Sequence, residues 1–370
     1  MVMYDDWKQF LINNGATIDA YGVQYFAPQN QEYTANTAEI AGTAAAAQGN
    51  IISDLSHFSL IRARGADAAS FLQGQFSNDI RLLNNTSQLT AYCNAQGRML
   101  AIFRVFKHGN DFLLQLPGEL REPLLKRLNM FVLRAQVVLE NTADTELARI
   151  GVSGPEIALK LGHIGPLPEF PNECGINEYQ GAQFQLLRLP GIHPRFEIIG
   201  PYNQMKALWK HLTSAILPLV TPVGRPAWAW LDIAAGIPTI FPEVSETFVP
   251  QMLNLDLIDG INFKKGCYPG QEIVARMHYL GKLKQRMYHA HIVLDSSLPA
   301  PRPGDSLYAP DFPEQVAGTV VDAQRAPTGG YDLLAVIQIS SAMRGEVHYA
   351  QAHGPRLIFK DLPYQAKLSA

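Results

Sequence analysis

Cys267 is the side chain in this sequence best equipped for covalent chemistry. It stands in residues 262–286, NFKKGCYPGQEIVARMHYLGKLKQR. Lys264 and Lys265 precede it, and Lys282, Lys284 and Arg286 close the run. A thiol beside fixed positive charge is biased toward the nucleophilic thiolate, because the charge stabilises the anion. Gly266 and the Tyr268-Pro269-Gly270 turn mark a sharply bent loop around it. Gln271 and Glu272 add a polar pair, followed by the short apolar run Ile273-Val274-Ala275. The same stretch also reads as a turn holding a small buried hydrophobe, which is what most free cysteines are.

Composition sets the frame for that loop. A chain of 370 residues is too long for one core and suits two or three domains. With 47% hydrophobic and 17% charged residues it is expected to fold as a soluble globular protein. The net charge of -3 argues against wholesale nucleic-acid binding. The start, MVMYDDWKQF, is acidic and lacks the apolar centre of a signal peptide, and no apolar run is long enough to span a bilayer. Cys93, Cys174 and Cys267 are far apart and odd in number, so a cytoplasmic location is expected. The absence of CxxC and HExxH predicts no dedicated metal site.

The elements that must position the loop follow an alternating plan. Residues 1–52 form a weakly patterned lead-in, with Asp6 a candidate cap for a short helix carrying Trp7, Phe10 and Leu11. Strands are predicted at 59–63, 99–106, 112–116 and 136–139, with helices at 66–76 and 118–133. The turn 94–97 joins 89–93 to the 99–106 strand as a hairpin. A second unit repeats the plan with strands at 147–152, 184–189 and 196–199 and a helix at 202–216. Both units match split βαβ architecture. A short helix is expected over 228–236, ended by Gly236 and Pro238. From Met287 onward, short strands near 289–294, 316–323, 331–339 and 347–350 suggest a small antiparallel barrel.

Several segments together carry a family resemblance. FVPQ (248–251), NLD (254–256), KGCYPGQE (265–272) and VAR (274–276) resemble the YgfZ family, folate-binding relatives of the glycine-cleavage T-protein, an aminomethyltransferase. The octet resembles the family signature K-G-C-Y-x-G-Q-E. GADAASFLQGQ (65–75) and CNAQGRM (93–99) add weaker support. The resemblance implies an α+β fold: a three-domain folate-binding cloverleaf of two split-βαβ-like domains and a C-terminal antiparallel β-barrel. The first domain is expected to be discontinuous, 53–145 with 226–285; the second spans 146–225 and the third 286–370.

The resemblance also implies tetrahydrofolate or a derivative as cofactor, iron–sulfur proteins, radical enzymes among them, as partners, and Cys267 as the catalytic residue. Lys265 is then placed to tune the thiol or to contact the folate tail. Phe58, Trp228, Gln251, Asn254, Glu272 and Arg276 become the cofactor-binding set, with Trp228 and Phe58 as stacking rings. The T-protein branch carries a carboxylate just after the 94–97 turn. Here Arg98, Met99, Leu100, Ala101 and Ile102 follow instead, so aminomethyl transfer by that route is not expected. Three functions stay open: an accessory protein for iron–sulfur enzymes that also serves tRNA methylthiolation, a one-carbon transferase, and a non-catalytic folate sensor or scaffold. Direct nucleic-acid binding is not expected, because the basic run lacks interleaved aromatic platforms beyond Tyr279 and Tyr288.

Overall fold

Trp7 and Leu11 are each 1% exposed, so the supposed lead-in is part of the fold. They sit on the helix Val2–Asn13, where Trp7 meets Trp209 edge-on at 5.9 Å and donates from Nε1 to Asp54 Oδ1 at 2.8 Å. Asp6 lies inside this helix, not at its cap, and pairs with Lys206. The structure is a computed structural model describing residues 2–27, 34–141, 146–295, 298–312 and 315–365. The hairpin β1 (Ala16–Asp19) and β2 (Gly22–Phe26) follows. The next helix spans Ala35–Gln48, and Thr34 caps it by accepting from Thr37 N.

Strand β3 (Ile51–Asp54) then leaves for a sheet completed much later. A first sheet assembles from β4 (Phe58–Arg64), β5 (Ser87–Cys93), β6 (Met99–His108), β7 (Asp111–Pro117) and β8 (Val138–Glu140), in the order β5-β6-β7-β4-β8. β4 and β6 both pair antiparallel with β7, so they run parallel with β7 between them, which is the split βαβ arrangement. The helix Gly118–Asn129 covers this sheet with Leu120, Leu124 and Leu128. It stops short of the predicted end at 133, and Met130, Phe131 and Leu133 are left exposed in the turn beyond.

The second sheet uses β9 (Leu147–Ser153), β10 (Cys174–Tyr179), β11 (Ala182–Leu189), β12 (Arg195–Pro201) and β13 (Thr221–Val223), ordered β10-β11-β12-β9-β3-β13. Here β12 separates the parallel strands β9 and β11. The early strand β3 enters antiparallel to β9 and parallel to β13. The helix Tyr202–Leu212 packs Met205, Leu208 and Trp209 into the core shared with Trp7.

The third sheet comprises β14 (Gln285–Ile292), β15 (Ser306–Tyr308), β16 (Gly318–Arg325), β17 (Tyr331–Gln338), β18 (His348–Tyr349) and β19 (Ile358–Lys360). It is antiparallel, as predicted, but among the described residues its edges β18 and β19 do not pair, so it is a half-barrel and not a closed one. A register shift between Val320 and Asp322 bends β16. Between the sheets runs the helix Arg225–Ala235, capped by Gly236. Trp230 on this helix donates to Asp332 Oδ2 at 2.9 Å, fastening it to the half-barrel.

Candidate functional site

The Cys267 loop is organised from both ends. At one end the Phe263 ring stacks on His278, centroids 3.8 Å apart and planes 12° apart. At the other, Gly270 at φ 77 leads into the helix Gln271–Tyr279. The sequence reading missed this helix because the Pro269-Gly270 pair marks a loop. The available signal was Glu272 in the first turn with Arg276 four residues on, where the macrodipole favours each charge. The two side chains pair at 2.9 Å on the surface, 81% and 65% exposed. Cys267 itself is an exposed free thiol.

Three distant segments hold this loop. Asn94 Oδ1 accepts from Gln96 N and Arg98 N, each at 3.0 Å, and so fixes the turn between β5 and β6. That turn presents Gly97 to the loop. A Cβ added at Gly270 would collide with Asn94 O and lie 2.6 Å from Gly97 Cα. Lys265 is turned inward and is 6% exposed. Its Nζ donates to Gln73 O at 2.6 Å and to Phe76 O, at the end of the helix Ala68–Gln73. Burial lowers its pKa to about 8, with Asp79 opposing that shift and Arg81 adding to it. The third segment is 246–256. Phe248 O accepts from Met99 N at 2.8 Å, and Gln251 Nε2 donates to Val274 O at 2.6 Å. Asn254, in left-handed backbone, donates from Nδ2 to Met287 O at 2.9 Å. Asp256 takes a two-pronged contact from Arg286 at 2.8 and 2.9 Å.

A cavity of about 200 Å³ opens where the three sheets meet, its lining running from buried Arg104 and Ile237 to exposed Asp259 and Pro363. Leu89 and Arg104 line it from the first sheet's β5–β6 pair, Asn172 comes from the segment leading into β10, and Ile237, Leu257 and Tyr364 complete its wall. Behind it sits a buried polar cluster. Arg104, 7% exposed, donates to Ser87 Oγ at 3.1 Å and Asn172 Oδ1 at 3.0 Å. Glu197, 2% exposed, accepts from Gln115 at 3.0 Å through Oε1, while its Oε2 has no partner among the described residues. Burial raises the Glu197 pKa, and Arg104 opposes the shift. Gln115 Oε1 and Arg195 Nε are likewise unpartnered and buried.

The expected binding residues therefore fall into separate groups. Gln251 is a buried brace of the helix that follows the Cys267 loop, Asn254 is a buried brace of β14, and Glu272 and Arg276 are a surface pair on that helix. Phe58 and Trp228 come together in one apolar cluster. Trp228 is 1% exposed, with the Arg195 guanidinium 3.9 Å from its ring centroid. None of these six residues is among those lining the cavity. Glu197 and Arg104 escaped the sequence reading, since single charges on apolar strands carry no spacing signal. On the surface beside the turn, Glu246 Oε2 accepts from Asn94 Nδ2 at 3.4 Å. Cys93 and Cys174 are packed thiols, each pushed up to about 12 by burial.

No family model matches the chain. It is 31% identical over 288 residues to the tRNA-modifying protein YgfZ of Colwellia psychrerythraea, covering 77% of this chain and 84% of that one. The protein of the same name from Sodalis glossinidius is 30% identical over 313 residues, 84% of this chain and 92% of that one. The fold is similar to the glycine cleavage system aminomethyltransferase T of Bartonella henselae, with a TM-score of 0.74, 16% identity and 96% of each chain covered. Among the described residues, no helix is long and apolar enough to cross a membrane.

Proposed function

This chain belongs to the YgfZ family, and we propose that it is a cytoplasmic folate-binding accessory protein for the assembly or repair of iron–sulfur enzymes, those that methylthiolate tRNA included. The observation that carries the reading is the pairing of an exposed, braced thiol with a separate, mostly apolar cavity that Arg104 enters on the same β5–β6 hairpin. From Leu89 to Cys93 is about 14 Å of strand, so the cavity and the Cys267 loop sit toward the two ends of one ribbon.

The cavity fits the pterin end of a folate. A pterin presents a row of N–H donors beside a carbonyl, and Glu197 Oε2, buried behind the lining and unpartnered among the described residues, is the acceptor such a row would reach for. Arg104, which lines the cavity, supplies the complementary donor. Its volume is below the roughly 300 Å³ of a typical small-molecule site, so the benzoyl-glutamate end points outward. Trp228, held under Arg195, backs this cluster with Phe58. A bound tetrahydrofolate supplies one-carbon or reducing chemistry. The three sheets are read as the three domains of a ring around it, the first completed by 226–285.

Cys267 serves as a nucleophile that takes a sulfane sulfur from a donor persulfide, whose thiol leaves, or a one-carbon unit from the folate, whose amine leaves. Lys265 anchors its loop and Gln251 the helix that follows, Asn254 braces β14, and Glu272 and Arg276 flank the loop. Transfer in the manner of the T-protein is disfavoured, because Met99, Leu100, Ala101 and Ile102 are buried apolar residues where that branch has its carboxylate. The test is Cys267→Ser in cells lacking the endogenous protein. Retained folate affinity with lost tRNA methylthiolation supports the reading; retention of both excludes catalysis by the thiol.

A further inference from the structure

The loop runs from the C-terminal end of the helix Gln271–Tyr279, where Phe263 meets His278, back to its N-terminal end at Gly270. It therefore folds along the helix, with Cys267 near its middle. Cys267 stands four residues after Phe263, whose ring stacks on His278, so at most about 14 Å of chain joins the cysteine to that contact at the far end of the helix. At this end Tyr279 is 65% and Leu280 85% exposed. Lys264, Lys282 and Lys284 are exposed around them, a cationic island on a chain whose net charge is -3.

Gly266 gives an independent sign. It is exposed, its φ is not in the left-handed range, and a Cβ added to it would meet nothing within 4 Å. Neither backbone conformation nor packing inside this chain requires glycine there. What a glycine beside the thiol provides is clearance for something approaching from outside.

We propose that this face docks an acidic protein, seated on Tyr279 and Leu280, ringed by Lys264, Lys282 and Lys284, and admitted to Cys267 over Gly266. The inference rests on the accessory-protein reading and names the surface its partner uses. An apolar anchor inside a charged rim is the anatomy of a protein interface. A second copy of this chain fits poorly, because a two-fold contact would set the lysines against one another. RNA is less suited, since Tyr279 is the single strongly exposed aromatic here and Arg276 is engaged by Glu272.

The test uses the full chain and a purified radical iron–sulfur enzyme that methylthiolates tRNA. Binding is followed at two salt concentrations for the wild type, the double variant Lys282→Glu/Lys284→Glu, Leu280→Ser and Gly266→Val. Folate titration and melting temperature are measured on each. Charge reversal should weaken binding about tenfold or more and remove most of its salt dependence. Leu280→Ser and Gly266→Val should weaken it as well, with folate affinity and melting unchanged. Variants that bind like the wild type, a wild type that does not bind, or lysines that matter only for an added tRNA transcript would each overturn the surface. Folate binding and restored methylthiolation by the wild type would still sustain the broader reading, and their failure would remove both.

Discussion

Gly97 and Gly270 meet backbone to backbone: a Cβ on Gly97 would lie 3.2 Å from Gly270 O, and one on Gly270 would lie 2.6 Å from Gly97 Cα. Two segments far apart in sequence, the β5–β6 turn and the cysteine loop, are thereby locked at van der Waals distance. Gly270→Ala adds a clash with backbone to a left-handed φ, and should cost about 2–4 kcal/mol in urea unfolding. Gly266→Ala, only two peptide planes before Tyr268, should change stability by no more than about 0.5 kcal/mol. Equal effects at the two glycines would refute the assigned contact.

Lys265 gives a prediction in pH. Its pKa falls from 10.5 to about 8 on folding. Between those values the unfolded chain holds more protons than the folded one, so stability rises with pH across the window and is lost as pH falls through 8. The burial shift is on the order of 3 kcal/mol at about 1.4 kcal/mol per unit. Urea unfolding at about pH 7.5 and about pH 9.5 should show that rise in the wild type and not in Lys265→Met. Parallel pH profiles would mean that the amine is not buried as described.

Asp322, 5% exposed on β16, has the opposite sign. Burial raises it from 3.8 to about 7, despite hydrogen bonds from Gln324 and Ala323 N. The folded state then holds the extra proton, so stability present at acid pH is lost as pH rises through 7. Asp322→Asn keeps an acceptor and sheds the charge. It should raise the melting temperature above neutral pH, by at most on the order of 4 kcal/mol in stability, and leave it unchanged in acid. A lower melting temperature at alkaline pH would contradict this.

The strands and the cysteine loop were legible because their signals are local: apolar runs, Gly-Pro turns, and an octet of distinctive residues. The convergence of the motifs was not. Nothing in the sequence says that Lys265 reaches the carbonyls of Gln73 and Phe76, or that Gln251 holds Val274, because these pairings are set by tertiary packing. β3 joins a sheet finished by β13 some 170 residues later, which no periodicity reveals. Trp228 shows a limit of another kind. The resemblance makes it a stacking ring, and only the fold places that ring under Arg195 in the core beside Phe58.

The central claim is that folate occupies the cavity lined by Arg104, its pterin reaching the buried Glu197 behind that lining, apart from Cys267. Tetrahydrofolate titration with tryptophan fluorescence tests it most directly, on the wild type, Glu197→Gln and Cys267→Ser. The account predicts micromolar binding by the wild type, unchanged in Cys267→Ser, and weakened between about tenfold and a hundredfold in Glu197→Gln at unchanged melting temperature. Binding that survives Glu197→Gln intact and vanishes in Cys267→Ser would place the ligand at the loop and contradict the account.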